Sequence, residues 1–370
     1  MNWTFVAIFA PAVAFGASAE ADRARLIAQF DSLVAAEVES ATGTRPTNDD
    51  GGIAWGQSYT LDALAEMLDV TRDAKYAELF VKLGDWVVGG RDDRLGLRDE
   101  YRGRVCKSWS STRYTEGKRH VWAVHTGMIV APMARFAAVV RRDPKLAGRF
   151  GRDADRFLAT AEEAAAVHDG EYRDGPGGDE GHIYGVSTER HLPLNMQNAL
   201  VRAWIAIDDA RGTDGHRERI MRLARFFKNR LRTTGDDAYV WAYLPPLEGP
   251  GDGFEDISHA SINVDFAVIC FEHGFVFTGQ DMDRFARTLL RKVMLGEKAI
   301  ANTVGGTGGL NKYVNAVLRW GRLASHNEPV RTRLMAFWRS GQAERASTTA
   351  LGIAYLVRAG GTAATRPAAR

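Results

Sequence analysis

Helical periodicity recurs from one end of this chain to the other in two alternating kinds, and no other feature narrows the possible folds as far. The spacing of apolar residues predicts helices over 20–36, 59–68, 74–88, 121–140, 153–167, 193–209 and 216–233. It predicts another from 256 onward, and four more over 281–295, 311–323, 329–339 and 348–357. Those near 122, 194, 258 and 349 are apolar around much of their circumference, whereas those near 80, 155, 220 and 285 carry charge on one face. The first kind needs burial on all sides and the second on one, so the pattern predicts an inner ring wrapped by an outer ring. Strand signals are nearly absent and a helix pair recurs roughly every fifty residues. The fold class is therefore all-α, an (α/α) toroid of about six helical hairpins, with seven hairpins or an open superhelix as alternatives.

A chain of 370 residues, 45% hydrophobic and 25% charged, can bury a large core, and its formal net charge of +2 excludes a global pull toward nucleic acid or membrane. Residues 1–19 read as a signal peptide. An apolar run over 5–15 precedes Gly16-Ala17-Ser18-Ala19, a small-residue cleavage site, although residues 1–4 hold no Lys or Arg. That predicts a periplasmic or secreted protein, with 20–359 as a single toroidal catalytic domain and 360–370 as a disordered tail. No other run approaches the ~18 apolar residues that cross a bilayer, so no membrane contact is expected. Cys106 and Cys270 leave both a disulfide and two free thiols open. Neither a metal nor a cofactor is expected. HExxH and clustered Cys/His are missing, the carboxylates of 169–180 lack EF-hand spacing, and the glycines of 305–309 read as a hinge, not a phosphate loop.

Polar chemistry collects where the helix after 255 begins. Glu255, Asp256, His259, Asn263 and Asp265 stand in an otherwise apolar stretch, and the i,i+3 and i,i+4 spacing lets Asp256, His259 and Asn263 share one face. Asp256 or Ser258 also suits an N-cap. If the inner helices run parallel, their amino ends open on one rim, and comparable residues recur there: Trp55, Gln57 and Tyr59; His120, Trp122 and His125; His191, Asn195 and Asn198; Asn311 and Tyr313. Such a set suits a sugar. The loop over 91–120 adds a basic surplus, including Arg104 and Arg113, beside Tyr101, Trp109 and Tyr114, a mixture able to hold an anionic glycan.

With these residues assembled, the chain resembles the toroidal polysaccharide lyases of the alginate and glucuronan lyase type. The likeness lies in Trp55-Gly56-Gln57-Ser58-Tyr59, in Leu192-Pro193-Leu194-Asn195-Met196-Gln197-Asn198, and in Ser258-His259 followed by Asn311-Lys312-Tyr313. It implies β-elimination on a uronic-acid-containing polysaccharide or oligosaccharide. Such a reaction needs a donor aimed at the uronate carboxylate, for which Asn198 is the candidate with His125 or Glu255 assisting. The resemblance makes His259 the base and Tyr313 the acid. The expected sugar contacts are Trp55, Gln57, Tyr59, Arg104, Arg113, Trp122, Asn195, Asn263 and Trp241. Two other readings stand beside it. One is a six-hairpin glycoside hydrolase or uronate epimerase using Glu255 or Asp256, with Asp62 or Asp265 as second carboxylate. The other is a non-catalytic glycan-binding scaffold.

Overall fold

The computed structural model describes residues 12–342 and 347–361. Among the described residues twelve helices of nine residues or more build it: α1 (Ala12–Thr42), α2 (Ser58–Thr71), α3 (Ala74–Gly89), α4 (Ala123–Arg142), α5 (Pro144–Ala165), α6 (Leu194–Arg211), α7 (Arg217–Lys228), α8 (Ile257–Glu272), α9 (Gly279–Arg287), α10 (Val314–Ser325, wound as a 3₁₀ helix), α11 (Glu328–Arg339) and α12 (Ser347–Ala359). The even-numbered helices touch in a closed cycle, α2 to α4 to α6 to α8 to α10 to α12 and back to α2, and the odd-numbered ones pack around them. This is an all-α toroid of six hairpins. It answers the two kinds of periodicity: α4, α6 and α8 are buried along nearly their whole length, whereas α3, α5, α7 and α9 bury one stripe.

Helix starts follow local chemistry. Asp73 caps α3, Asp143 followed by Pro144 caps α5, and Asn327 caps α11, each carboxylate or amide accepting from orphan backbone N–H groups. The Asp143-Pro144 signal starts α5 well before the predicted 153. In the same way, α7 stops at Lys228, because residues 232 and 233 pair in a two-stranded ribbon of β4 (Arg232–Thr233) with β5 (Tyr239–Val240). A second small sheet, β1 (Tyr172–Asp174), β2 (Gly181–Gly185) and β3 (Arg190–His191), fills the loop before α6. Helix α1 begins at Ala12, so the proposed cleavage site lies within it. Residues 1–11 of the predicted signal and 362–370 of the predicted tail fall outside the described residues.

One correction concerns burial. Helix α4 is, by length and composition, apolar enough to cross a membrane, contrary to the expectation that no other run could, and 94% of that window is buried inside the ring. It lies so close to α6 that a Cβ on Gly127 would stand 2.3 Å from the Ala199 backbone. Cys106 and Cys270 are both buried and unpaired.

Charge is also buried in the ring, in one continuous network that reaches all six inner helices. Arg202 of α6 approaches Asp62 of α2 at 2.8 Å and Asp265 of α8 at 2.7 Å. Arg135 of α4 bridges Asp62 and Glu66, and Arg358 of α12 binds Glu66 and Asp69. Arg322 of α10 joins Glu272 and Asp265, and Tyr355 of α12 donates to Asp265 at 3.0 Å. Burial alone would raise the Asp62 carboxyl pKa, but Arg202 and Arg135 outweigh it and hold the group ionised. Asp62 is thus a strut of the ring. Replacing Arg202 with Met leaves two buried carboxylates short of a partner, and we expect a loss of about 3–5 kcal/mol in denaturant unfolding. A loss below about 1 kcal/mol would mean that the ring closes without this link.

Candidate active site

Contacts between residues at matching turns, Gly127 with Ala199, Arg202 with Asp265 and Tyr355 with Asp265, show that the inner helices run parallel, so their amino ends share one rim. Residue Asn198, in the second turn of α6, donates to Asn263 Oδ1 of α8 at 2.7 Å, and Asn263 Nδ2 donates to Glu255 Oε2 at 2.5 Å. Trp241 Nε1 donates to the same oxygen. Four of the sequence-predicted residues, from three segments, thus form one buried chain ending on Glu255. This carboxyl is wholly buried, and its Oε1 has no protein partner. Burial, with the neighbouring Asp256 charge, pushes its pKa well above the usual carboxylate range, despite the two donors that oppose the shift.

Asp256 meets the opposite fate one residue later. As N-cap of α8 its Oδ1 accepts from Ser258 N–H at 2.9 Å and His259 N–H at 3.0 Å. Its Oδ2 lies 2.6 Å from His259 Nδ1, close enough for charge pairing but out of line for a hydrogen bond. Burial would raise its pKa, but His259 and these N–H donors outweigh it and pull the pKa down. Two consecutive acidic residues are therefore shifted in opposite directions. The ring of Tyr243 lies 5.2 Å from that of His259, and burial beside Glu255 lifts its phenol to about 12.

Across the mouth, His125 sits at the start of α4. Asn48 is fixed by the Ala54 N–H on its Oδ1, so its Nδ2 faces His125 Nδ1 at 3.4 Å and makes that nitrogen the acceptor. The Nε2–H is then a buried donor without a protein partner, as is Trp55 Nε1, whose ring meets His125 edge-on at 5.5 Å. Complete burial, aided by Arg113, lowers the His125 pKa to about 3, so the ring is neutral. The exposed Tyr114 lies near both Trp122 and His125, 6.1 and 6.5 Å between ring centres. Asn195 is buried with both amide atoms lacking a protein partner.

A third group borders the second. Arg319 of α10 donates to Tyr59 Oη and, at 2.7 Å, to Ser258 Oγ. With Ser258, Asn311, Lys312 and Tyr313 it lines a cavity of about 230 Å³. Tyr313 is half-buried there, under the Lys312 ammonium 5.0 Å from its ring centre. Gln57 is half-buried at the end of the π-type turn Ile53–Gln57 that leads into α2. Arg113 is exposed and donates to the Asp50 carbonyl, whereas Arg104 is exposed with its backbone bridged to Asp99.

The rest of the 91–120 loop is consumed internally. Arg102 pairs with buried Asp99 and Glu171, Arg91 with Asp93 and Glu163, Lys107 with Glu163, and Arg119 with Asp49. Much of its basic surplus is therefore counter-charge for carboxylates of the same chain, of which Asp99 and Glu171 are buried. Trp109 is core, donating to the Val87 carbonyl. Asp62 and Asp265, weighed as a second catalytic carboxylate, are locked in the ion network. Asp169, Asp174 and Asp179 face Arg219, Arg222 and Arg225 on the outer surface, beside a groove of about 630 Å³. Among the described residues no three His, Cys, Asp or Glu side chains gather as a metal site. Residues that sequence reasoning did not single out are Asn48, Tyr243 and Arg319. Asn48 carried a faint signal in its polar turn ahead of Trp55, and the other two carried none.

No family model and no curated protein matches this chain. Its fold is similar to that of a solved structure, an inactive variant of the α-1,6-mannanase GH76A of Salegentibacter sp. HEL1_6, with two neighbouring aspartates changed to asparagine, in complex with α-1,6-mannotriose. The TM-score is 0.56 at 11% sequence identity, over 89% of this chain and 98% of that one. The similarity corrects the expectation of a polysaccharide lyase. The solved toroid that this chain resembles is that of a glycoside hydrolase and not of a lyase, and at this identity the likeness is one of fold.

Proposed function

We propose that this protein is a glycoside hydrolase acting on an oligosaccharide at the mouth of the ring. Glu255 is the proton donor to the departing glycosidic oxygen, and His259, oriented by Asp256, activates the attacking water. The observation that carries this reading is the divergence of the two adjacent carboxyls, the buried, unpaired Glu255 pushed toward its protonated form and Asp256 pulled toward its ionised form by His259 and backbone donors. The proton on Glu255 has a defined place. Oε2 is held by Trp241 and Asn263, so Oε1 carries the hydrogen and is the oxygen without a protein partner. The unpartnered groups of Asn195, Trp55 and His125 are what sugar hydroxyls would satisfy, and exposed Tyr114 and Tyr243 offer ring faces for a pyranose.

The mannotriose bound to the similar mannanase supports an oligosaccharide as the ligand class. An export signal over 1–19 and one catalytic domain over 20–359 belong to the same proposal.

Incubation with a panel of neutral and acidic oligosaccharides should release new reducing ends without the ultraviolet absorbance of an unsaturated uronate. Glu255→Gln should lower the rate by about 10²–10⁴-fold while leaving the protein folded. Release of no reducing ends from any glycan, or a fully active Glu255→Gln variant, would overturn the assignment. The raised Glu255 pKa also sets a pH signature. Activity should fall as pH rises through it, because the donor is lost.

Stability should follow the same sign. Below the ordinary glutamate pKa both folded and unfolded chains hold the proton, so the contribution is fully present. Above that value only the folded state keeps it, and stability declines toward the folded pKa. Thermal midpoints measured from acid to alkaline pH should therefore fall less steeply for Glu255→Gln than for the wild type.

A further inference from the structure

Among the described residues, arginines under one-tenth exposed are matched by carboxylates, with one exception. Arg91 pairs with Asp93 and Glu163, Arg202 with Asp62 and Asp265, and Arg230 with Glu180. Arg319, 6% exposed, has only the neutral oxygens of Tyr59 and Ser258 and the face of the Tyr59 ring 4.8 Å away. Its Nε–H has no protein partner, and no carboxylate of a described residue lies within ion-pair distance of it. A buried guanidinium without a counter-charge costs several kcal/mol in a protein interior, of order 3–5 where such pairs are broken. Here it faces a cavity of about 230 Å³ together with the Lys312 ammonium, so among the described residues two cations and no anion border the same space. Ser258 Oγ accepts from Arg319, which frees its own proton to donate into that space.

We infer that this cavity is a subsite for an acidic sugar residue, its carboxylate accepting from Arg319 and pairing with Lys312. The inference rests on reading the mouth as a glycan site and names the substrate class: a glycan with an anionic residue beside the bond that Glu255 and His259 address. The cavity is smaller than a drug-sized pocket, which suits one sugar ring. Arg319 is reached from Glu255 through the first turn of α8, because Ser258 and His259 are consecutive. The carboxylate would supply the missing counter-charge, so binding and local stability are coupled.

The test is calorimetric binding of oligoglucuronate, its carboxyl-reduced counterpart and a sulfated neutral oligosaccharide, each to the wild type, Arg319→Gln and Lys312→Ala, at two salt concentrations. The wild type should bind the uronate roughly tenfold or more tightly than the reduced form, in line with a charge-assisted hydrogen bond, and raised salt should shrink that preference. Arg319→Gln should erase the preference while leaving affinity for the reduced form in place. Lys312→Ala, at an exposed position that folding does not depend on, should cut the preference several-fold and so decides the matter if Arg319→Gln fails to fold.

Equal binding of acidic and reduced oligomers by the wild type would overturn the inference, as would an equal loss for both in the variants. Binding of the sulfated sugar in preference to the uronate would overturn the carboxylate as the recognised group. A charge preference with no hydrolysis of any glycan would leave this subsite standing and remove the hydrolase reading. Hydrolysis with no charge preference would do the reverse.

Discussion

Six helices close into a ring only if the space at its centre is filled, and here much of that filling is ionic. Arg202, set between Asp62 and Asp265, links α2, α6 and α8 across the interior, and Arg135, Arg322, Arg358 and Tyr355 extend the contacts to the other three inner helices. Such groups are expensive to desolvate and tolerable only with near-complete pairing. Because each link requires a particular residue of one helix at the height of a particular residue of another, the network sets register. The hydrophobic contacts around it, Leu and Ala against Phe and Val, would permit sliding.

Register in turn determines what meets at the mouth. With Arg202 held opposite Asp265, Asn198 stands one turn above on α6 and reaches Asn263 on α8, which reaches Glu255. The same interior that pulls the Asp62 pKa down pushes that of Glu255 up. Asp62 has two guanidiniums within 3.1 Å, whereas Glu255 has only an indole and an amide and sits beside another acid. Identical chemistry, a buried carboxyl, thus becomes a strut at one level and a proton store at the next. Arg319 is the complement, a cation placed at the mouth without an acid to neutralise it.

The similar fold of the mannanase bears on architecture and leaves the reaction to the side chains. A toroid presents the amino ends of six helices to one basin whatever chemistry follows. Elimination and hydrolysis differ in which groups hold protons there, and the opposite shifts of Glu255 and Asp256 are the asymmetry on which the proposed hydrolysis rests.

Much was legible in the chain alone. Twelve helices, their alternation between wholly apolar and one-sided faces, and the ring they imply were set by local periodicity and by caps such as Asp143-Pro144 and Asp256, because those signals act within a turn or two of helix. The clustering of Asn198, Asn263, Glu255 and Trp241 was foreshadowed by polar residues at helix starts. What tertiary structure decided was the state and partner of each group. Asp62 and Glu255 are both acids near the start of an apolar helix, and nothing local says that one meets two arginines and the other none. The basic residues of the 91–120 loop look like an anion surface until Asp99, Glu163 and Glu171 arrive to neutralise them. Arg319 looks like any helical arginine until closure of the ring leaves it buried without a counter-charge. Charge and hydrogen-bond satisfaction are relations between distant residues, so they exist only once the chain has closed.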